Sequence, residues 1–545
     1  MKSVYFIILI SCGLSQKTDY ELLESGKRGD YHKVWIYFKD KVGSELINIT
    51  EKTKQRRQKH ATKIDNSWYD LKVSANYIST IEAKGVDIEN ESRWLNAVSI
   101  ICSQEDIEAI SLFPFVKKIK PVKGYKKKYF NEIDIYQLDG RELDYGDANT
   151  QIEQINAHLL HEEGLTGQGI RVLLLDTGYD LSHDALNHIN VVGQKDFIND
   201  DNQTANENEF EQNVNQDDHG TKILSIIAAN SPGNLVGPAF NADFLLAKTE
   251  DVSQEWPQEE DDYVAGLEWG EANGADIASS SLGYADWYTE TDFDGNTATT
   301  TIAVDIAVSL GLVCVTAVGN GLAIAPADAD SVISVGAVNN IGEIASFSSR
   351  GPTFDGRIKP EVCAQGVNVW AVSGNSNSEF INIYNGTSAS TPLVAGAIAL
   401  ILQGMPTLSP MEVREAILMT GSMADEPNNT YGWGIMDAHA ALSYWSTSDI
   451  RNSKSFPVNF SILKTYPNPF NPTINIEVQS TGESITDIAI ISIDGHYVEN
   501  IFRGKISNPI QTISWEPDDI SSGIYFVKLV NDKNQSLYKK ITYLK

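Results

Sequence analysis

The sequence predicts an α/β protein followed by a small all-β module, and three features carry this prediction. The apolar run 172–175 ends at Asp176-Thr177-Gly178, which is typical of a strand that runs into a turn. The small residues between Asn385 and Thr391 predict a sharp turn that leads into a helix. Beyond about Ser446, apolar and polar residues alternate with a period of two between turn residues, which indicates the strands of a small β-sandwich.

Length, charge and cysteine content limit the classes of protein to which this chain can belong. A chain of 545 residues is long enough for two to four domains. Its formal net charge of -31 argues against nucleic acids and anionic membranes as partners. Cys314 and Cys363 both lie in apolar, strand-like segments, so two buried thiols are favoured over a disulfide bridge.

Residues 1–15 are predicted to be a signal peptide. A lysine precedes the apolar run 4–10, and the small residues Gly13 and Ser15 follow it. The alternative is a lipoprotein signal, because the four residues that end at Cys12 resemble a lipobox. Elsewhere no run approaches the roughly 20 apolar residues that span a bilayer.

Residues 16–145 are predicted to form a small α/β unit and a linker. Strands are expected at 34–38, 98–102 and 116–119, with a helix at Gln104–Ser111. The basic run 120–128 and the acidic, polar stretch after it are typical of an exposed, cleavable linker. An ordinary N-terminal domain that stays attached is the alternative.

Three polar motifs in residues 146–445 carry the functional prediction. Asp176 ends an apolar strand, His219 belongs to Asp218-His219-Gly220-Thr221, and Ser388 lies in the small-residue turn. A serine hydroxyl becomes a nucleophile when an imidazole takes its proton, and the imidazole needs a carboxylate to hold its tautomer. Each motif alone fits an ordinary turn or helix start. Together they indicate a catalytic triad.

The chain order Asp, His, Ser is the order found in subtilisins, and the resemblance extends from about Gln151 to Leu442. Further motifs of that family follow in order at 237–239, 275–283, 317–321, 345–352, 359–362 and 432–438. The chain therefore resembles a subtilisin-like serine protease of the peptidase S8 family. The resemblance implies a three-layer α/β domain with a mostly parallel sheet at 146–445. It also implies that the small α/β unit before it is a propeptide, acting as intramolecular chaperone and inhibitor.

The resemblance gives each candidate a role. Asp176 orients His219, which acts as general base towards Ser388 and then as general acid towards the leaving amine. The Asn320 side chain and the Ser388 backbone N–H are the implied oxyanion donors. The backbone of Ser281-Leu282-Gly283 is implied to bind substrate.

These roles predict a secreted serine endopeptidase, made as a self-processing zymogen, whose partners are polypeptide substrates and its own propeptide. The alternative from another class is an exported binding or surface protein on an inactive subtilisin fold. Labelling of the mature protein by a fluorophosphonate separates the two.

Three positions depart from the family pattern. Lys222 stands where a second histidine is usual, Ala389 replaces a methionine, and Leu393 replaces a histidine. Leu393 is expected to pack its helix against the sheet, and Pro392 to occupy the first turn of that helix. Lys222 could lower the pKa of the catalytic imidazole from one helical turn away, but a solvent-facing helix residue is the favoured interpretation.

Residues 465–545 resemble the C-terminal sorting domain of type IX secretion, after a predicted linker at 446–464. The resemblance rests on the run from Tyr466 to Pro472 and on the segment Gly523–Leu529. It implies the secretion machinery as a partner and a secreted or cell-surface location. Cargo exported in this way needs no lipid anchor, so Cys12 is expected to be part of the signal peptide. A carbohydrate-binding or adhesion module is the alternative.

The predicted chemistry requires no cofactor, although members of the family often bind calcium. Two acidic segments, 196–218 and 250–262, hold the carboxylates that a hard cation prefers. Neither has EF-hand spacing, and a solvated acidic loop is the usual meaning of such runs. No ligands are therefore assigned.

Overall fold

The computed structural model describes residues 27–28, 31–59, 67–122, 143–253, 258–285, 288–321, 324–374, 376–451, 460–466, 473–480, 485–492, 497–505, 510–517, 523–531 and 536–543. The chain divides into two compact units, Met1–Ser446 and Thr447–Lys545, and each is described by itself. The predicted signal peptide lies outside the described residues. Most of the predicted cleavable linker, from 123 to 142, also lies outside them.

The first part of unit one is a five-stranded antiparallel sheet with helices. Its strands are β1 (Lys27–Arg28), β2 (Tyr31–Phe38), β3 (Ile88–Ser92), β4 (Ala97–Cys102) and β5 (Val116–Pro121). Its helices are α1 (Glu51–Lys59), α2 (Ser67–Asp70), α3 (Ala75–Glu82) and α4 (Gln104–Ser111). The strand order is β1-β2-β4-β3, with β5 paired to β2. The three predicted strands and the predicted helix are confirmed, and Ser103 caps that helix by accepting the Asp106 N–H at 3.2 Å.

The second part of unit one is a seven-stranded sheet with helices on both faces. Its strands and those of two small hairpins are β6 (Arg171–Asp176), β7 (Asn190–Asp196), β8 (Asn230–Ser231), β9 (Leu235–Val236), β10 (Asp243–Lys248), β11 (Ile277–Ser280), β12 (Val313–Ala317), β13 (Ile333–Val338), β14 (Val362–Gln365), β15 (Val369–Val372) and β16 (Phe380–Tyr384). Its helices are α5 (Asn149–Glu153), α6 (Ala157–Glu162), α7 (Glu209–Val214), α8 (Asp218–Ala228), α9 (Gln258–Ala272), α10 (Thr299–Ser309), α11 (Thr387–Gly404), α12 (Pro410–Thr420) and α13 (Ala438–Arg451). The sheet order is β14-β13-β12-β11-β6-β10-β7, with every pairing parallel. The predicted fold class is confirmed.

Side chains of the large sheet enter two apolar cores, because successive residues of a strand point to opposite faces. Val172 and Leu174 of β6 pack with residues of α8, α11 and α12, whereas Leu173 and Leu175 pack with residues of α9 and α10. The domain therefore has three layers. Helix α11 is long and apolar enough to cross a membrane, but 89% of it is buried in the first core. Leu393 is among its buried residues, as predicted.

Strand β6 lies where the order of the sheet reverses. The strands that follow it, β7 and β10, lie on one side, and β11 to β14 lie on the other. In open parallel sheets, ligands bind beside such a point, at the carboxyl ends of the strands. Asp176 is the last residue of β6, so the fold places it at this edge.

Unit two consists of two antiparallel sheets that share one apolar core. Its strands are β17 (Phe460–Tyr466), β18 (Ile474–Ser480), β19 (Ile485–Ser492), β20 (Tyr497–Lys505), β21 (Ile510–Trp515), β22 (Gly523–Asn531) and β23 (Ser536–Tyr543). The sheet orders are β17-β18-β21 and β20-β19-β22-β23. Buried side chains of both sheets, such as Ile476 and Val527, form the core. The structure thus confirms the β-strands that the alternating pattern predicted.

The sequence did not predict β17 and β20 of unit two, because the alternation of apolar and polar residues in these strands is interrupted. The β17–β18 register shifts at Ile462, and the β19–β20 register shifts twice. Strand β17 begins inside the predicted linker 446–464, and α13 runs on to Arg451. The linker is therefore shorter than predicted; residues 452–459 between these elements lie outside the described residues.

The cysteines follow the prediction. Cys314 and Cys363 are both buried and free, and so is Cys102 of β4. Burial raises the pKa of the Cys363 thiol to about 12, which keeps it protonated and unreactive.

Candidate active site

Asp176 and His219 meet at the carboxyl edge of the parallel sheet. The Asp176 side chain is fully buried, and its Oδ1 accepts the Thr177 backbone N–H at 2.8 Å. His219 is the second residue of α8, and its Nδ1 lies 2.6 Å from the same oxygen. A buried carboxylate on Nδ1 fixes the tautomer in which Nε2 is the basic nitrogen. The His219 side chain stays 30% exposed.

Gly220 allows the start of α8 to approach the end of β6. A Cβ at this position would lie 2.2 Å from the Gly178 carbonyl oxygen and 3.1 Å from Asp176 Oδ1. Its backbone N–H donates to the Thr177 hydroxyl at 3.2 Å. Any larger residue would push the helix away and lengthen the bond between imidazole and carboxylate.

Ser388 lies in the first turn of α11, close to Gly386. Gly386 precedes that turn with a φ of +153°, a conformation that residues with a Cβ rarely adopt. A Cβ on Gly386 would lie 3.0 Å from Ser388 Oγ and 3.7 Å from Asn320 Nδ2. The missing side chain therefore leaves a space that both polar atoms border.

Pro392 lies in the second turn of α11, and the prediction that it occupies the first turn is wrong. Proline has no N–H, so the usual helical hydrogen bond from residue 392 to the Ser388 carbonyl cannot form. The Ser281 hydroxyl donates to that carbonyl instead, at 2.9 Å. Ser281 follows β11 directly, so this bond ties the turn that holds Ser388 to the sheet.

Asn320 lies just beyond the end of β12 and is oriented by Thr387. Its Oδ1 accepts the Thr387 backbone N–H at 3.0 Å and the Thr387 hydroxyl at 3.1 Å. With the amide oxygen held in this way, Nδ2 is the donor that borders the space at Gly386. An oxyanion needs donors that are fixed before the reaction starts, and this amide meets that requirement.

Tyr384 packs against the imidazole, at the end of β16. Its ring lies edge-to-face on that of His219, with centroids 5.9 Å apart and an interplanar angle of 70°. Burial and, second, the charge of Asp176 raise the pKa of its phenol, and interaction with Ser388 opposes that rise. Among the hydrogen bonds of the described residues, none joins Ser388 to His219 directly. Such catalytic bonds are often long without substrate and tighten in the Michaelis complex.

Lys222 does not face solvent, contrary to the favoured interpretation of the sequence. Its side chain is 18% exposed, and its Nζ lies 2.6 Å from Asp218 Oδ2. The same ammonium lies 5.8 Å from the centre of the Tyr384 ring. Lys222 and His219 therefore both contact the ring of Tyr384.

The segment Ser281-Leu282-Gly283 leaves β11 at the same edge of the sheet. Outside the strand ladders, the described backbone hydrogen bonds include none from these three residues. The next residue, Tyr284, exchanges two backbone bonds with Ala325, at 2.8 and 3.1 Å. An extended segment with uncommitted N–H and C=O groups can pair with an added peptide strand.

The first acidic segment brings three carboxylates together. Asp196, Asp201 and Glu207 offer oxygens within 4.8 Å of one another, a spacing that suits a hard cation. The buried Lys248 ammonium, however, lies 2.8 Å from Asp196 and 2.8 Å from Glu211. This internal cation neutralises the buried carboxylate, so we assign no calcium ligands.

The second acidic segment is not the solvated loop that its composition indicates. Its last four residues, from Glu259 to Asp262, form the first turn of α9 and are each no more than 4% exposed. The propeptide-like part of unit one supplies partners on this helix, such as Lys33, whose Nζ lies 3.2 Å from Asp261 Oδ2. Side chains from the N-terminal part thus cover this face of α9.

Comparison with known proteins agrees with this geometry. Residues 167–434 match the model of the subtilase family. Subtilisin E of Bacillus subtilis (strain 168) is 31% identical over 384 residues, which cover 68% of this chain and 86% of that protein. The chain belongs to the subtilase family. It is a subtilisin-like serine endopeptidase.

Other relatives and two further domain matches extend this conclusion. Subtilisin of Bacillus pumilus is 36% identical over 306 residues (53% of this chain, 97% of that protein), and an alkaline protease of Shouchella clausii is 29% identical over 365 residues (67% and 84%). Residues 33–133 match the peptidase S8 propeptide domain of Bacteroidota, and residues 464–543 match the secretion system C-terminal sorting domain. This subtilase therefore carries a propeptide and a sorting domain, and it is a secreted or cell-surface protein.

Sequence reasoning missed one residue of this subtilase's site, Tyr384, and one role, that of the Ser281 hydroxyl. The Ser281 hydroxyl has an indirect signal in the sequence, because Pro392 leaves the Ser388 carbonyl without its helical donor. Tyr384 has none, since its contact with His219 depends on how β16 lies beside α8.

Proposed function

We propose that the chain hydrolyses internal peptide bonds through an acyl-enzyme on Ser388, with His219 as proton carrier and Asp176 as its orienting carboxylate. The observation that carries the proposal is the 2.6 Å bond between His219 Nδ1 and the buried Asp176 Oδ1. This bond selects the tautomer that a general base requires, at the sheet edge where the turn of Ser388 is tied by Ser281.

In the first step the Ser388 hydroxyl adds to the scissile carbonyl carbon while its proton passes to His219 Nε2. The imidazolium then gives this proton to the leaving amine, so that the C–N bond breaks and an ester remains on Ser388. Water, deprotonated by His219, hydrolyses the ester and restores the serine. Asp176 stays ionised and stabilises the imidazolium in both steps.

The substrate backbone and the oxyanion have separate sites in this proposal. The carbonyl oxygen enters the space beside Gly386, where Asn320 Nδ2 and the Ser388 backbone N–H donate to it. The residues before the scissile bond pair with the uncommitted backbone of Ser281-Leu282-Gly283. Both contacts are made by groups whose positions are fixed by other hydrogen bonds.

We also infer a self-processing zymogen, with a signal peptide at 1–15, a propeptide and linker at 16–145, a catalytic domain at 146–445 and a sorting domain at 465–545. The matched family ranges and the separate unit after Ser446 support this division. In this scheme Ser388 cuts the linker, and the secretion machinery recognises the last domain.

Labelling with a fluorophosphonate tests the proposed function, since the reagent phosphonylates an activated serine. The mature wild type should take up one label, on Ser388, and His219→Ala should take up none. Ser390→Ala is the matched control and should label normally. Among the described residues, the Ser390 hydroxyl has one hydrogen bond, which it donates to the Thr387 carbonyl at 2.9 Å. An unlabelled wild type would favour a binding protein on an inactive fold.

A further inference from the structure

Helix α9 is strongly acidic. It contains Glu259, Glu260, Asp261, Asp262, Glu268 and Glu271, and no lysine, arginine or histidine. All six carboxylates lie in buried residues, with exposures of 0 to 7%. Burial of a carboxylate costs free energy unless a cation or another donor pairs with it. Because α9 has no cationic residue, any cations must come from other parts of the chain.

The propeptide supplies arginines to this helix. Arg57 donates from Nε and Nη2 to the two oxygens of Glu271, at 3.0 and 2.9 Å, and Arg56 donates to the same carboxylate. Arg93 Nε lies 3.2 Å from Glu268 Oε2. Two-pronged guanidinium–carboxylate pairs of this kind are among the strongest and most selective polar contacts in proteins.

The propeptide part and the catalytic part of the chain also differ in charge. Residues 146–445 contain 42 Asp and Glu but only 8 Lys and Arg, whereas residues 1–145 contain 21 Asp and Glu and 24 Lys and Arg. Departure of the propeptide therefore removes the arginines from α9 and leaves an acidic face in an acidic domain. Such a surface attracts cationic polypeptides and raises their local concentration.

The acidic helix begins close to the candidate substrate segment, and Glu268 and Glu271 lie about three turns further along it, so the docking face extends away from the scissile bond. Strand β10 runs parallel to β6 with Lys248 opposite Asp176, so α9, the next helix, starts at the edge of the sheet that carries the site. The Tyr284 hydroxyl, one residue beyond Gly283, bonds to the Glu250 carboxylate. It also lies 3.4 Å from the Glu259 carbonyl oxygen in the first turn of α9.

We propose that the face of α9 uncovered by the departing propeptide docks arginine-bearing segments of polypeptide substrates, in the manner in which it now holds Arg56, Arg57 and Arg93. This inference rests on the proposed function, since docking matters only if Ser388 cleaves. It names a substrate class, basic polypeptides, that is selected at a distance from the scissile bond. The propeptide is then both inhibitor and template for what the mature enzyme prefers.

The test uses mature wild-type enzyme and two long peptides with the same cleavage sequence. One carries an Arg-Arg segment on the N-terminal side, and the other carries Gln-Gln in its place. At low salt, kcat/KM should be roughly tenfold higher for the arginine peptide, as expected for about one charge-assisted pair. The gain should disappear at high salt, whereas a short uncharged peptide should be cleaved at the same rate in both buffers.

Glu271→Gln provides the matched variant, with Glu343→Gln, an exposed acid on another loop, as control. In Glu271→Gln the ratio of kcat/KM for the two long peptides should fall to about one, and in Glu343→Gln it should not change. If Glu271→Gln fails to mature, the salt dependence of the wild type decides alone. Equal cleavage of both peptides by the wild type at low salt overturns the docking inference. Failure to cleave any peptide overturns the proposed function instead.

Discussion

Asn320 and Ser388 are each held by a neighbour that forms a hydrogen bond with another atom of the same residue. Thr387 binds the amide oxygen of Asn320 twice, which leaves the amide nitrogen as the donor beside Gly386. Ser281 takes the place of the missing Pro392 N–H on the Ser388 carbonyl. Preorganisation of this kind is what makes a hydrogen-bond donor effective in the transition state.

Asn320→Ala should lower kcat by roughly 10²- to 10³-fold, the size of the effect known for subtilisin. KM should change little, because the donor serves charge that develops only in the transition state. Steady-state kinetics on one peptide substrate measures both values. A variant with wild-type kcat would place the oxyanion donor elsewhere.

Lys222→Met tests the support that Tyr384 gives to the imidazole. Loss of the cation from the tyrosine ring and from Asp218 should lower kcat/KM roughly two- to fivefold, the range of a partly exposed cation–π contact. Lys222→Arg keeps the charge and serves as the control, with activity close to wild type. If Lys222→Met is as active as Lys222→Arg, the lysine has no part in positioning His219.

At the scale of single elements, α9 links the propeptide to the catalytic domain through groups whose protonation changes with pH. Burial, and second the charge of Asp261, raise the pKa of Asp262 to about 8, and Asn90 of the propeptide donates to its Oδ1 at 3.0 Å. Burial also raises the pKa of Glu268. Once the propeptide leaves, we expect water to reach these carboxyls and their pKa values to return to the usual range near 4.

This difference predicts that the propeptide is held more tightly at low pH. The complex retains a proton on Asp262 that the free enzyme gives up between about pH 4 and 8, so within this range the affinity is greatest at its acidic end. It should weaken by up to about tenfold per pH unit as pH rises towards 8. Inhibition of the mature enzyme by its own purified propeptide, measured at several pH values, gives the dissociation constant.

Asp262→Asn is the control for the pH dependence, because the amide carries no titratable proton and leaves a shallower slope. Activity of propeptide-free enzyme at each pH corrects for the titration of the active site. Tighter inhibition with increasing pH would contradict the assigned role of Asp262.

At the scale of the whole molecule, patterns local in sequence were predictable and contacts between distant segments were not. The alternating strands and the ordered motifs around Asp176, His219 and Ser388 were read directly, because each depends on a few neighbouring residues. The Ser281–Ser388 bond joins residues 107 positions apart. Pro392 indicates that the Ser388 carbonyl lacks its helical donor, but no local pattern indicates which group replaces that donor. The acidic run into α9 was misread as a loop for the same reason, since Asp261 and Asp262 contact Lys33 and Asn90 of the propeptide.

Truncation after Ser453 tests the division into two units. Every proposed catalytic group lies before α12, and the sandwich has its own core, so the shortened chain should fold and cleave peptides in cell lysate. It should not reach the medium, because the sorting domain is missing. Activity in lysate and in medium is compared with that of the full-length chain. Normal secretion would refute the sorting role, and an inactive lysate would show that the sandwich is needed for the catalytic domain to fold.

The most direct test of the catalytic assignment is the fate of the full-length chain when Ser388 is replaced by alanine. Intact-mass spectrometry, with no other protease in the preparation, follows release of the propeptide over time. Ser388→Ala should stay uncleaved and lose about a million-fold in peptide turnover, the loss known for the same change in subtilisin. Ser390→Ala should mature like the wild type. Normal self-processing by Ser388→Ala would contradict the assignment of Ser388 as the nucleophile.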